Sequence, residues 1–345
     1  MGGLKSITQG QTRARLLSAL LRRRIIAAIC LVIGIFSSGT ANAADKLRIA
    51  VQKTGTFGWE LAIIKDRSLD READLDLEIT ELASTEAGKI ALIGGAADII
   101  LSDWLWVSRE RSLGHDLTFH PYSSALGAVV VPHRSTIKSL ADLSGKKLAV
   151  AGGPLDKSWL LLQAFAMRDG LDLSSQATIL YGTPALLTEK TRMGEADATL
   201  NFWNFCAILE AQGFERLISM EEVEKSLGTE GPVAMVGYVF SDNFAAQHRD
   251  ALQRFFAIAH KAKEILATSD DDWEKLAPRI GVFDKAGLAA YRKAYIQGIP
   301  RRPIAEEAED ARKLYQVLAK FGGAKLVGRA DALAPGTFYA ESGVN

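Results

Sequence analysis

Residues 139–159 read SLADLSGKKLAVAGGPLDKSW, and this stretch decides the fold. A Gly-Lys-Lys turn at Gly145 leads into a short apolar strand, Leu148 to Ala151. The strand meets Gly152-Gly153-Pro154, and a helix starts near Asp156 or Ser158. Strand, glycine turn and helix N-terminus together form the β–turn–α unit of open α/β sheets, whose ligands gather at the carboxyl ends of strands. Orphan N–H groups at such a helix start favour an anion. The alternative is a plain turn whose own cap satisfies those groups.

Similar units lie on both sides. Upstream, Lys46–Val51 and the period-two run Leu75–Leu82 (LDLEITEL) read as strands, as do Asp98–Leu101 and His115–Tyr122. Helices are expected over Trp59–Lys65, from Ser84 or Thr85 to Leu92, and from Trp104 to Ser112. Gly127–Pro132 opens a second series, with strands at 147–151, 178–181, 198–202 and 216–219. Its helices span about 156–168, 185–193 and 204–212. Val233–Phe240 reads as a strand leading back out, and Glu222–Gly231 as a floppy loop. Beyond Ser241 the pattern is helical, over 243–267, 271–278, 284–297 and 305–321, with Asp242 as a cap. Alternating strands and helices point to parallel-rich sheets with helices on both faces. The chain would cross between two lobes near 125–128 and 234–238.

The first 43 residues stand apart. Arg22-Arg23-Arg24 precede an apolar stretch, Ile25–Phe36, and small residues end at Ala41-Asn42-Ala43. This is the pattern of a secretory signal cleaved after Ala43, with an apolar stretch too short for an ordinary membrane span. Cys30, preceded by Ile29, does not fit a lipoprotein signal. The full chain has 41 basic and 41 acidic residues, and this segment holds six of the basic ones. Residues 44–345 carry 35 against 41, a formal −6, which suits a soluble exported protein and argues against a nucleic-acid partner. Only Cys206 remains there, so neither an intramolecular disulfide nor a zinc framework is expected.

The segment KLRIAV, the stretches GGAADIILSDW, IKSLADLSGKKLAVAGGPLDKSW and MGEADATLNFW, and the signal segment resemble the solute-binding proteins of ABC importers. Within these the resemblance is to the group for nitrate, sulfonates, taurine and thiamine-pyrimidine precursors. It spans about residues 45–340, and DLSGKKLAV at 142–150 is its most specific piece. It implies a type II periplasmic binding protein: α/β, with two Rossmann-like lobes, a two-crossing hinge and a C-terminal helical segment. Lobe one would be 44–126 with 237–345, and lobe two 127–236. It further implies a periplasmic protein that closes around a small organic solute, anionic or zwitterionic, and delivers it to an ABC permease and its ATPase subunit. No cofactor and no catalysis are implied. The alternatives are an enzyme on the same fold and a ligand-sensing partner of a membrane receptor. Pyrimidine-synthesising relatives carry a cysteine-rich motif that this chain lacks.

Solute capture needs polar groups on two facing walls. Residues just past the expected strands supply them: Thr54, Thr56, Phe57 and Trp59, then Ser102, Asp103 and Trp104, then Ser123, from the first lobe. The second lobe offers Gly153, Pro154, Lys157, Ser158, Trp159, Thr183, Asn201, Trp203 and Asn204. Four of these are tryptophans, whose faces can hold a flat ring or a quaternary ammonium; each can equally be half-buried core. Asp103 suits a cationic group and Lys157 an anionic one. No P-loop, G-x-S-x-G, H-E-x-x-H or G-x-G-x-x-G occurs. Ser144-Gly-Lys-Lys147 fits a solvated turn, and Asp270-Asp271-Asp272 a helix start favoured by the dipole rather than a calcium loop.

Overall fold

A computed structural model describes residues 44–340, apart from Thr54 and Phe283. The signal segment, its cleavage site and Thr54 therefore lie outside the described residues. Ten strands form two five-stranded sheets. The first sheet is ordered β2-β1-β3-β10-β4 and the second β7-β6-β8-β5-β9.

The first sheet contains β1 (Asp45–Gln52), β2 (Leu75–Leu82), β3 (Ile99–Asp103), β4 (Leu117–Ser123) and β10 (Val236–Ser241). β1 runs parallel to β2, Asp45 facing Leu75 and Gln52 facing Leu82, and parallel to β3. β10 is antiparallel to both β3 and β4. The second sheet contains β5 (Gly127–Val131), β6 (Lys147–Ala151), β7 (Thr178–Gly182), β8 (Ala198–Phe202) and β9 (Glu215–Ser219). Here β6 pairs in parallel with β7 and β8, while β5 is antiparallel to β8 and β9. Each sheet is thus parallel except at a strand fed by a crossing from the other lobe.

The burial pattern tracks position in the sheet. Central β6 is shielded on both faces and reads as a continuous apolar run, LAVA. Edge strand β2 alternates buried Leu75 and Leu77 with exposed Asp76 and Glu78. The two small-residue–Asp segments, GGAAD and GEAD, do the same job in both lobes. Asp98 Oδ2 accepts the Arg48 N–H at 2.8 Å while its own N–H donates to the Arg48 carbonyl. Asp197 repeats both bonds with Lys147. Each aspartate locks the register between two parallel neighbours, β1 with β3 and β6 with β8.

In chain order the helices are α1 (Phe57–Asp66), α2 (Leu69–Glu72), α3 (Thr85–Ile93), α4 (Trp104–Ser112), α5 (Lys157–Arg168), α6 (Leu173–Gln176) and α7 (Pro184–Arg192). Then come α8 (Trp203–Ala211), α9 (Met220–Ser226), α10 (Asp242–Gln247), α11 (Arg249–Thr268), α12 (Asp270–Ile280), α13 (Lys285–Gln297) and α14 (Ile304–Val327). The expected helix 243–267 is two, broken at His248, and the cap of α10 is Ser241 rather than Asp242. The expected floppy loop 222–231 is instead largely ordered. Ser219 and Glu222 form a capping box that starts α9, and Thr229 beyond it is buried.

The helical tail touches both lobes. α13 packs on α8 of the second lobe, and α14 packs on α4 of the first and α5 of the second. One apolar cluster accordingly runs from Trp104 and Trp159 to Leu314, Tyr315 and Leu318 of α14. Among the described residues no helix is long and apolar enough to cross a membrane.

Candidate functional site: a cleft between the two sheets

The carboxyl ends of β1, β3, β6 and β8 open on one cavity of about 690 Å³. Eight of the residues singled out above line it: Thr56, Phe57, Ser102 and Asp103 from the first lobe, and Lys157, Ser158, Trp203 and Asn204 from the second. Gln52, Ser84, Thr85, Glu86, Lys89, Asp156, Phe202, Phe205 and Met235 complete much of the wall. Ser84 and Lys89 could be found from the cap and first turns of α3, which point at the same strand ends. Phe202 and Phe205 carry no signal that separates them from core.

Asp103 and Lys157 do not wait for separate ligand groups. Lys157 Nζ donates across the cleft to Asp103 Oδ2 at 3.0 Å, joining the lobes. The other oxygen, Oδ1, accepts the Trp106 N–H at 2.9 Å and so caps α4. Burial disfavours the Asp103 carboxylate, but Lys157 and the Trp106 N–H outweigh it and hold the group below the usual carboxylate range. The same aspartate raises the Lys157 ammonium above its ordinary value.

The turn that opens α5 carries its own cap. Asp156 Oδ1 accepts the Trp159 N–H at 3.2 Å, so the first turn is capped from within. Gly152 is required here: its φ is +85°, and a Cβ would lie 2.7 Å from an Asp156 carboxylate oxygen. Burial pushes Asp156 up to about 6. Neither Gly153 nor Pro154 lines the cavity. Of the residues named above from this turn, Lys157 and Ser158 line the cavity, and Asp156 caps the helix behind them.

Other candidates also turn away. Trp159 is 1 % exposed and sits in the core beside α14. Trp104 is fully buried, with the Phe338 ring 6.4 Å from it. Trp59 packs edge-on against Trp203 and Trp273 at 6.1 and 5.8 Å, behind the wall. Asn201 is buried and spends its amide on the Pro184 carbonyl and the Thr188 hydroxyl. Ser123 Oγ accepts the Ala125 N–H at the crossing. Thr183 precedes α7 without a side-chain cap, and Pro184 lines the cleft in its place. Of the four tryptophans only Trp203 faces the cavity.

Two polar features of the cleft bear on what it could hold. Among the described residues Ser102 Oγ is buried with no hydrogen-bond partner. Helix α8 begins at Trp203 with no side-chain cap, so its first N–H groups have no side chain to accept them. A bound solute's acceptor group would satisfy both. Beside them stand the aromatic faces of Phe202, Trp203 and Phe205.

A second cavity, about 800 Å³, lies among α11, α14 and residues 333–340. Its basic residues are already matched: Lys263 with Glu60, Arg302 with Asp310, Arg312 with Glu309 and His260 with Glu264. Among the described residues no cluster of histidine, cysteine or carboxylate side chains could hold a metal ion.

A family model described as NMT1/THI5 like matches residues 71–271. The chain belongs to the NMT1/THI5-like family. The match in this NMT1/THI5-like chain runs from α2 to α12 and takes in the whole second lobe. Among curated proteins none matches the sequence. Solved structures share the fold. The periplasmic aliphatic sulphonate binding protein SsuA from Escherichia coli is 21% identical with a TM-score of 0.67, covering 86% of this chain and 97% of that one. The alkanesulfonate-binding protein SsuA from Xanthomonas axonopodis pv. citri, bound to MOPS, is 20% identical with a TM-score of 0.63, covering 87% and 99%. A point mutant of DszB in complex with biphenyl-2-sulfinic acid is 14% identical with a TM-score of 0.54, covering 81% and 98%. The NMT1/THI5-like chain therefore has the two-lobed α/β architecture of type II periplasmic binding proteins.

Proposed function

We propose that this chain is the extracytoplasmic solute-binding subunit of an ABC importer. It takes one small organic solute into the cleft between its lobes (44–126 with 237–345, and 127–236) and presents it to the permease. The observation that carries this reading is the pairing of Ser102 Oγ, buried and unpartnered, with the uncapped start of α8 on the opposite wall. Donors from both lobes on the wall of one cavity favour closure around an acceptor such as a sulfonate or carboxylate. Phe202, Trp203 and Phe205 suit a flat or apolar body on that head group. The two similar SsuA proteins are sulfonate binders, which supports that class. The signal segment at 1–43 supports a periplasmic location, with cleavage after Ala43.

A thermal-shift screen over alkanesulfonates, carboxylates, betaines and pyrimidines tests the reading. We expect a saturable rise in Tm with at least one sulfonate or carboxylate and no product formed. Turnover of a compound, or no stabilisation by any class, would count against it. An enzyme on this fold is less well supported. Cys206 is buried against the Ala128 and Asn201 carbonyls, and burial pushes its thiol up to about 12, out of reach of nucleophilic use.

A further inference from the structure

The two chain crossings between the lobes are held by different chemistry. On the return crossing, residues 230–234 run from α9 of the second lobe into β10 of the first. Every backbone N–H in that run is accepted by a carboxylate. Asp310 Oδ2 takes those of Glu230 and Gly231 at 2.9 and 3.4 Å. Glu224 Oε2 takes Val233 at 3.3 Å, and Glu307 Oε2 takes Ala234 at 2.9 Å. Pro232, between them, has no N–H to give. All three carboxylates are about 99 % buried.

The carboxylates come from two bodies. Glu224 stands on α9, in the second lobe, while Glu307 and Asp310 stand on α14. Asp310 is neutralised by Arg302 at 2.8 Å and Lys313 at 2.9 Å. Among the described residues Glu224 has no ion-pair partner, and its Oε1 is buried without a hydrogen bond. The charged groups around it are Glu221 on its own helix and Glu307 and Asp310 on α14. Arg168 of α5 instead donates to the Ser226 carbonyl, and Arg216 of β9 pairs with Glu210. Arg302 is the cation beside Glu307.

We propose that Glu224, Glu307 and Asp310 are positioning residues that clamp the return crossing, and that the clamp responds to protons by charging Glu224 against α14. The inference rests on the hinged-binder reading above. Burial raises Glu224 to about 8 and Glu307 to about 7. Below about pH 6 the pair therefore holds its protons and α9 lies quietly against α14. As pH rises, both ionise, and two like charges with one nearby arginine push the lobe-two helix away. The interlobe angle opens.

Spin labels on the chain from Ala44 onward, which lacks Cys30, read that angle without a solute. Ile90→Cys and Met193→Cys place labels on the two lobes at positions 73 % and 72 % exposed, while Cys206 is buried and stays unlabelled. Electron paramagnetic resonance should show the label–label distance lengthening by about 2 Å or more between about pH 6 and pH 9. In Glu224→Gln, which cannot ionise, the distance should stay at its low-pH value across the range. Glu307→Gln, alone and combined, provides a second test should Glu224→Gln fold poorly. A wild-type distance that ignores pH, or a Glu224→Gln profile matching wild type, overturns the proposal. A failed solute screen would leave this result standing, so the two readings fail separately.

Discussion

Two strand-to-helix turns of the second lobe invite comparison. Both follow a central strand, both carry a tryptophan, and both arrive at the cleft. At β6–α5, Asp156 caps the helix and Trp159 turns into the core. At β8–α8 there is no side-chain cap, and Trp203 stays half-buried in the cavity wall. A capped helix start has already spent its donors, and an uncapped one keeps them for a guest. The two turns thus differ in what their first N–H groups meet: a carboxylate at α5 and no side-chain cap at α8, a lack that α7 shares.

The largest expected effect separates the two tryptophans. Trp159→Ala should lower unfolding stability by about 3–5 kcal/mol, because it empties a core site. Trp203→Ala should cost much less and instead weaken binding of the best sulfonate or carboxylate from the screen. Urea titration and calorimetry on both variants check this; equal stability losses would erase the distinction.

Next in size is the bond that ties the capped turn to the other lobe. Asp103→Asn keeps a capping oxygen on α4 but loses the charge facing Lys157. A charge-assisted bond contributes about 1.5–3 kcal/mol, so the solute-free protein should expand measurably in small-angle scattering. An unchanged radius of gyration would show that the pair does not hold the lobes together.

A smaller effect probes the uncapped side. Ser102→Ala removes a buried hydroxyl without a protein partner, so stability should change by less than about 1 kcal/mol while solute affinity falls roughly tenfold. Intact affinity would remove Ser102 from the site.

The smallest effect is a pH dependence at the capped turn. The Asp156 carboxyl is raised from 3.8 to about 6 on folding, so the native state binds its proton more tightly. Its stabilising contribution is complete below about pH 4 and fades as pH rises through about 6. Asp156→Asn, which still caps, should lack that decline when melting curves are compared across the same range.

Much of this was readable in advance. β2, β6 and β8 fall where alternation and apolar runs put them, at 75–82, 147–151 and 198–202. Asp98 and Asp197 lie in two of the stretches that carry the family resemblance, and each locks a register. The tryptophans were the hard part. Trp59 and Trp159 occupy the third position of their helices, about 200° round from the first, and both pack inward. Trp104 and Trp203 both occupy the first position, yet only Trp104 is covered, by Phe338 from more than two hundred residues away. Contacts that distant leave no local trace. The interlobe bond of Lys157 to Asp103 is hidden for the same reason.

The order of strands in the first sheet bears on how the molecule is made. β4 reaches β3 only through β10, which is synthesised after the entire second lobe. A nascent chain ending near residue 126 therefore holds an edge with nothing to pair against, and that gap persists for over a hundred residues of translation. Such delayed long-range pairing slows folding and exposes the intermediate to aggregation. For the export proposed above, an unfinished sheet would keep the chain threadable until it has crossed.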